Sequence, residues 1–267
     1  MNRHGGQELA PPPAQPEVDS LQRGLEILRC FRNGEKSLRF ADVLERTRIP
    51  RLSAQKLLNT LTAHRFLRYL PELDRYEPDV SCFVIGHALR ASLSILRVAR
   101  PVMQSVAERL GVDVVIAQRE GMEMMILEHC GTRAEAVELR AGYLVPVAQT
   151  ALGRAWLWGQ KPTIQGEYIE RIRAQADPDA LNAIPGIYRA FQSLAERGYC
   201  LSLGEWHEDR HGIATPLILG GGGEVLVLAA IADGQAFKEG SFRETVGSAL
   251  IDAAARIKAE MPRAEYA

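Results

Sequence analysis

The sequence predicts an α+β fold divided into a small amino-terminal domain and a larger carboxy-terminal one. Two observations carry that expectation. Before residue 80, three short stretches place apolar residues at helical spacing and are followed by two short β-prone runs. Beyond Gly111, β-prone runs alternate with helical patterns to the end of the chain. At 267 residues the chain is long enough for each domain to bury a core of its own.

The elements follow in order. Residues 1–17 contain Pro11, Pro12, Pro13 and Pro16 and few large apolar groups, too little to offset the entropy of ordering, so a disordered tail is expected. From Asp19 or Ser20, either able to cap a helix, Leu21, Leu25, Leu28 and Phe31 recur at helical spacing as far as Asn33-Gly34. A second helix is predicted over Phe40 to Thr47. After Ile49-Pro50, a third runs over Leu52 to His64. Phe66 to Leu70 and Arg75 to Glu77 flank Pro71-Glu72-Leu73-Asp74, a hairpin turn signal. Helix, helix, helix, hairpin is the order of a winged helix-turn-helix, assigned to residues 18–78.

A linker helix is expected over 79–98, within a mostly helical stretch from Val80 to Leu110 that can break near Ser92 or at Pro101. The remaining domain, 99–267, has β-like runs at Val112–Gln118, Met124–Glu128, Ala136–Leu139, Tyr199–Leu203, Ile213–Leu217 and Val225–Ile231. Helical patterns cover Ala151–Trp158, Ile164–Ala174, Ile187–Arg197 and Phe242–Glu260. Gly220 to Gly223 joins two β-like runs and reads as a hairpin turn; a phosphate loop needs Gly-Lys-Ser/Thr and a helix after it.

Composition excludes several classes. A formal net charge of -1 gives no global attraction to nucleic acid or anionic membrane, so such affinity must be local. Cys30, Cys82, Cys130 and Cys200 form no Cys-x-x-Cys pair, which argues against a zinc ribbon, a redox motif or a disulfide scaffold. The chain carries no apolar run of bilayer length, Met1 to Gln15 lack the apolar segment of a secretion signal, and a reducing cytoplasm is the expected setting.

The local charge lies between Arg46 and Arg68. Arg46, Arg48, Arg51, Lys56, Arg65 and Arg68 fall in this window without a single Asp or Glu. On a helical wheel Ala54, Leu57, Leu58 and Leu61 share one side and Gln55, Lys56, Asn59 and Ala63 the other. A helix with such a polar face fits a DNA major groove. Gln and Asn pair with adenine, Lys with guanine, and Leu52 can touch a thymine methyl. Arg51 and Ser53 at the helix start are expected to hold phosphate, and Arg68 and Arg75 on the hairpin to reach the flanking backbone or minor groove. A charge run alone more often marks a solvated face. Its coincidence with the third helix and the hairpin favours DNA.

These residues also carry a resemblance. Ser20-Leu21-Gln22-Arg23-Gly24-Leu25-Glu26-Ile27-Leu28, Arg46-Thr47-Arg48-Ile49-Pro50-Arg51 with Leu57-Leu58 and Leu61, then Arg75-Tyr76 and Gly86, resemble the amino-terminal half of IclR-type bacterial transcriptional regulators. Gly142 and Pro146, Thr150-Ala151-Leu152-Gly153-Arg154-Ala155, Arg197-Gly198-Tyr199, Gly204-Glu205, Ile213-Ala214-Thr215-Pro216 and Gly234-Gln235-Ala236-Phe237 continue it in order. The resemblance implies a winged helix-turn-helix, a linker helix and a carboxy-terminal α+β, GAF- or profilin-like effector-binding domain. It also implies homodimers that often pair into tetramers, a double-stranded operator and a small organic acid effector, aromatic acids included. Three departures stand out: Arg48 where the family usually has Gly in the helix-turn-helix turn, Gly212 before Ile-Ala-x-Pro, and Ile231 and Asp233 where Ser residues are common. A turn that needs positive φ is strained at Arg48, whose side chain can add a phosphate contact.

The resemblance places the effector pocket at Ala151, Leu152 and Gly153, the segment Glu205 to Gly212 with Arg210 and His211, and the strand end Ile231 to Asp233. Helix-start N–H groups can hold a carboxylate, and Arg210 or His211 can add a charge-assisted hydrogen bond. Asp233 repels an acid unless paired. The bland alternative makes Ala151 and Leu152 core and Asp233 a turn residue. A runner-up class is a metabolite-binding enzyme or metal-dependent hydrolase using Glu205, His207 and His211, with the two histidines able to ligate zinc on a helix. No His-Glu-x-x-His, Gly-x-Ser-x-Gly, P-loop or dinucleotide fingerprint supports it, and neither metal nor cofactor is expected.

Overall fold

A computed structural model describes residues 18–32, 34–131, 140–175, 178–219, 225–233 and 240–261. The chain divides into two compact units, Met1–His87 and Ala88–Ala267.

In the amino-terminal unit, α1 (Asp19–Leu28), α2 (Phe40–Thr47) and α3 (Arg51–Ala63) are followed by the hairpin β1 (Leu67–Leu70) and β2 (Arg75–Pro78). Ile27, Leu38, Val43, Ala54, Leu58 and Leu67 are buried together between them. Neither Asp19 nor Ser20 caps α1: Val18 occupies the cap position, and the helix stops at Leu28, short of the expected end. Asp19 instead lies in the first turn, where a carboxylate faces the positive end of the helix dipole. The hairpin pairs Arg68 with Glu77 and Tyr69 with Tyr76, and a bridge from Leu38 to Tyr76 ties it to the segment before α2.

Two left-handed residues shape this unit. Arg48 closes α2 at φ 54° and donates its N–H to Leu44 O at 2.9 Å, the conformation expected of a turn that usually takes Gly. After α3, Arg65 has φ 61° and donates to Thr62 O, while Phe66 N–H reaches back to Leu61 O at 2.9 Å. That pair of bonds is a Schellman motif, and it turns the chain from α3 into the hairpin.

The helical stretch after β2 is two helices, α4 (Val80–Ser92) and α5 (Ser94–Leu110), rather than one linker helix over 79–98. The break falls at Leu93. Pro101 sits inside α5 on its exposed side, so the carbonyl it leaves unbonded, that of exposed Arg97, faces water.

The carboxy-terminal unit is built on one antiparallel sheet. Its strands are β3 (Asp113–Glu120), β4 (Glu123–Cys130), β5 (Leu144–Pro146), β6 (Cys200–Leu203), β7 (Arg210–Ile218) and β8 (Val225–Asp233), in the order β5-β4-β3-β8-β7-β6. Its helices are α6 (Ala151–Trp158), α7 (Pro162–Gln175), α8 (Pro178–Arg197) and α9 (Gly240–Glu260). One face of the sheet packs on α5 and α9 through residues such as Val114, Ile116, Leu228, Leu250 and Ile257. The other packs on α6 and α8 through Val115, Val227, Ala229, Leu157 and Ile187. Both faces are covered, so strands such as β8 read as continuous apolar runs. Strand β5 has no counterpart in the sequence reading, because three residues are too few for an alternation signal. The β-like run expected at Ala136–Leu139 and the turn at Gly220–Gly223 lie outside the described residues. Among the described residues no single helix is long and apolar enough to cross a membrane.

Candidate nucleic-acid and effector sites

On α3 the two sides of the wheel separate as the sequence predicts. Ala54 and Leu58 are fully buried and Leu57 and Leu61 pack against the same core, while Gln55, Lys56, Asn59 and Ala63 are exposed. Leu52 is 79% exposed, an apolar side chain held out in water at the helix start. Gln55 Nε2 donates to Asn59 Oδ1 at 3.2 Å, which orders two amide groups side by side one helical turn apart. Arg51 lies over the Phe40 ring, 5.0 Å from its centroid, and Ser53 is half-buried beside it.

The cationic window is smaller in space than in sequence. Arg46 makes a two-pronged ion pair with Glu35, both contacts 2.6 Å, and also donates to Cys30 O. Arg65 pairs with Asp79 at 3.2 Å, and Arg68 pairs with its cross-strand neighbour Glu77. Each acid lies outside the window, so a count along the chain misses it. Arg75, expected to reach DNA, is half-buried and donates to Ser37 O at 3.0 Å, fastening the hairpin to the segment before α2. Among the described residues Arg48, Arg51 and Lys56 form no ion pair, and they cluster at the end of α2 and the first turns of α3.

In the carboxy-terminal unit a concavity of ≈ 520 Å³, its open mouth included, lies between α6 and the sheet. Its walls are almost entirely apolar: Val145, Ala151, Leu152, Ala229, Ile231 and Trp206, with Thr150, Ser202, Arg210, His211 and Gly212. The floor is the start of α6. Thr150 caps the helix by accepting from Gly153 N–H at 3.2 Å and donates its own hydroxyl to Pro146 O. Ala151 and Leu152 precede the first residue that bonds back into the helix, so their N–H groups have no intrahelical acceptor. Gly212 lies under Ala151: a Cβ there would stand 3.5 Å from the Ala151 Cβ. His211 Nδ1 is buried and has no hydrogen-bond partner among the described residues.

Three of the expected pocket residues have other work. A Cβ on Gly153 would fall 2.1 Å from the Val147 backbone, so its bare Cα lets α6 approach the segment behind β5. Glu205 is committed to Arg154, with contacts of 2.8 and 2.5 Å, and is not among the residues that line the cavity. Asp233 faces Arg210 across the β7–β8 ladder, outside the cavity lining. Sequence reasoning placed the segment holding Trp206 at the pocket without singling out that side chain, and it missed Ser202, Val145 and Ala229, which only the strand register brings to the cavity. His207 packs at a tilt against Trp206, and the segment between β6 and β7 that holds it is not a helix, so the helical His207–His211 pair does not form. Among the described residues no group of three or more potential ligands is placed to hold a metal. Burial raises all four thiols above the ordinary cysteine range, and Cys200, fully enclosed behind α6, is pushed up to about 12, which works against the thiolate form.

Comparison with known proteins covers both units. Residues 20–71 match the IclR helix-turn-helix domain, and residues 87–259 match the bacterial transcriptional regulator IclR C-terminal domain. The HTH-type transcriptional regulator TsaQ1/TsaQ2 of Comamonas testosteroni is 29% identical over 247 residues, which is 91% of this chain and 88% of that protein. The crystal structure of an IclR family transcriptional regulator from Brucella abortus superimposes with a TM-score of 0.86 at 27% identity, covering 95% of this chain and 97% of that one. The fold is also that of an IclR homologue from Microbacterium hydrocarbonoxydans complexed with 4-hydroxybenzoate, with a TM-score of 0.69 at 21% identity, covering 90% of this chain and 98% of that one.

Proposed function

The chain belongs to the IclR family of bacterial transcriptional regulators, and on that premise we propose how its two units divide the work: α3 reads an operator while the α6 cavity binds the metabolite that controls it. The protein is a DNA-binding regulator rather than an enzyme, with a small-molecule effector. The observation that carries the assignment of residues is the outward polar face of α3. Gln55, Lys56 and Asn59 lie in water above a buried Ala54–Leu58 side, on a helix whose first turn has no acid. Leu52, Gln55, Lys56 and Asn59 meet base edges in the major groove, and Arg48, Arg51 and Ser53 meet phosphate. Arg68, half occupied by Glu77, stays near the flanking backbone, and Arg75 acts through the hairpin it braces.

The effector is a small organic acid with an aromatic or other flat apolar body. Val145, Trp206, Ala229 and Ile231 suit such a body, and the Ala151 and Leu152 N–H groups with Arg210 suit its carboxylate. The unsatisfied His211 Nδ1 suits a polar substituent. The 4-hydroxybenzoate of the Microbacterium homologue belongs to the same chemical class. Such a ligand shifts operator affinity only by the difference in its own affinity for the DNA-competent and incompetent arrangements. The helices α4 and α5 join the two units in sequence and are the proposed coupling element.

A second copy of the chain is the proposed partner. Leu21 and Leu25 on α1 and Phe83, Val84 and Ile85 on α4 are exposed, and α4 has no buried residue at all. Two copies on a partly palindromic site, working in the cytoplasm, complete the reading. Fluorescence anisotropy against an operator selected from genomic fragments tests it. Gln55→Ala or Lys56→Ala should weaken binding by about 1–3 kcal/mol, roughly a five- to 150-fold loss, and relax the base preference at one position. Unchanged affinity in both variants would remove α3 as the reading element.

A further inference from the structure

One wall of the cavity is Trp206, carried by the segment 204–209, which lies between the end of β6 and the start of β7 and so is outside the ladder. Its main chain is held by two bonds, Gly204 N–H to Arg210 O at 3.2 Å and Arg210 N–H to His207 O at 2.9 Å. Trp206 turns inward to line the cavity, its ring edge-on to Tyr143. Its neighbour Glu205 reaches the other way, to Arg154 on α6.

Arg154 is 1% exposed, the largest fully buried side chain among the described residues. Its Nε donates to Ala148 O at 2.9 Å, and Nη1 and Nη2 each donate to a separate Glu205 oxygen. The guanidinium lies against α8 at Gly186, where a Cβ would stand 2.4 Å from Nη2. Space for this one side chain is therefore built into a second helix. Burying one end of such a pair, here Arg154 against a Glu205 that is 31% exposed, is a poor route to stability, because desolvation of the buried charge offsets the attraction. A planar fork on a carboxylate does fix orientation in a way an apolar contact cannot. Arg154 follows three residues after Ala151, so the helical turn that floors the cavity also holds its wall.

We infer that Arg154 and Glu205 form a positioning clamp that sets the Trp206 wall of the cavity, and through it the fit of the effector, without touching the ligand. The inference rests on the reading of this cavity as the effector site. It also assigns the carboxylate of an acid effector elsewhere, since the Arg154 fork is already taken.

The test uses the full chain. Glu205→Gln keeps side-chain volume and one hydrogen bond; Arg154→Met removes the fork; Arg154→Lys restores charge without it. Amide exchange read by mass spectrometry should accelerate about tenfold in peptides covering 203–210 in Glu205→Gln and Arg154→Lys, while peptides from α3, α8 and β8 keep their wild-type rates. Titration with 4-hydroxybenzoate should show about a tenfold weaker Kd, with operator affinity in the absence of ligand within twofold of wild type. Unchanged exchange at 203–210 in Glu205→Gln, uniformly faster exchange across the whole carboxy-terminal unit, or wild-type behaviour of Arg154→Lys would each overturn the clamp. If Arg154→Met fails to fold, Glu205→Gln still decides. If wild-type protein binds neither 4-hydroxybenzoate nor benzoate, the aromatic-acid reading of the effector fails, while the exchange arm still decides the clamp.

Discussion

The two units place their functional residues in opposite ways. In the amino-terminal unit most of the residues proposed to face DNA, Arg51, Leu52, Gln55, Lys56 and Asn59, are exposed neighbours on one helix, with half-buried Ser53 among them and Arg48 just before it. In the carboxy-terminal unit the cavity gathers Val145 from β5, Ala151 and Leu152 from α6, Ser202 from β6, Gly212 from β7 and Ile231 from β8. A reading surface needs only that one amphipathic helix keep its orientation. A cavity needs the register of several strands and the close approach of a helix, so its integrity depends on residues that never touch the ligand.

The largest test of that difference is Gly153→Ala. The added methyl would stand within about 2 Å of Val147 main-chain atoms, which cannot turn aside as a flexible side chain would. Overpacking of this kind costs about 3 kcal/mol. Denaturant melts should show that loss in the carboxy-terminal unit, and amide exchange in α1 to α3 should stay at wild-type rates; a shared loss would erase the distinction between the units. Arg51→Ala probes the other side. Its guanidinium stacks on Phe40 and forms no ion pair among the described residues, so its removal should cost about 1 kcal/mol of operator affinity. The slope of log Kd against log salt should fall by about one, while titration of the effector cavity is unaffected. A cost independent of salt would mean that Arg51 serves packing rather than phosphate.

What the sequence made legible follows the same division. The α3 wheel, the hairpin and the alternation of strands with helices came from periodicity, which is a local property and survives folding. The DNA-facing charge was only partly legible, because Glu35, Glu77 and Asp79 lie outside the window from Arg46 to Arg68 and withdraw three of its cations. Glu205 read as a ligand contact or a base, because the partner that claims it is 51 residues away on a helix with no other buried charge. Trp206 gave no periodic signal, since it lies between strands. The family resemblance supplied the neighbourhood of the cavity; which side chains enter it was set by register and by the space at Gly153 and Gly186.

Arg48 sharpens the comparison at a smaller scale, because stability and reading pull against each other there. A non-glycine residue at φ 54° carries roughly 1 kcal/mol of backbone strain that Gly does not. Arg48→Gly should therefore raise the denaturation midpoint of the amino-terminal unit by relieving up to about 1 kcal/mol, partly offset by the greater freedom of Gly in the unfolded chain. Operator binding should weaken at the same time if Arg48 meets phosphate. A variant that is more stable and binds as tightly as wild type would reduce Arg48 to a strained turn residue with no part in recognition.

The smallest effect concerns the start of α2, the helix that precedes the reading helix. Asp42 accepts from the Arg39 guanidinium at 2.8 Å and from the Arg39 backbone N–H at 2.9 Å, and these bonds hold its carboxyl down at about 2. The folded-state value lies below the unfolded one, so the contribution is complete above the ordinary carboxylate range and is lost as pH falls towards 2. Arg39 is well exposed and the pair is screened, which keeps the effect below about 1 kcal/mol. Urea melts of the wild type and Asp42→Asn should differ most above pH 5 and converge near pH 2, with the difference confined to the amino-terminal unit. A gap that persisted at pH 2 would mean that the Asp42 side chain acts there by shape and not by charge.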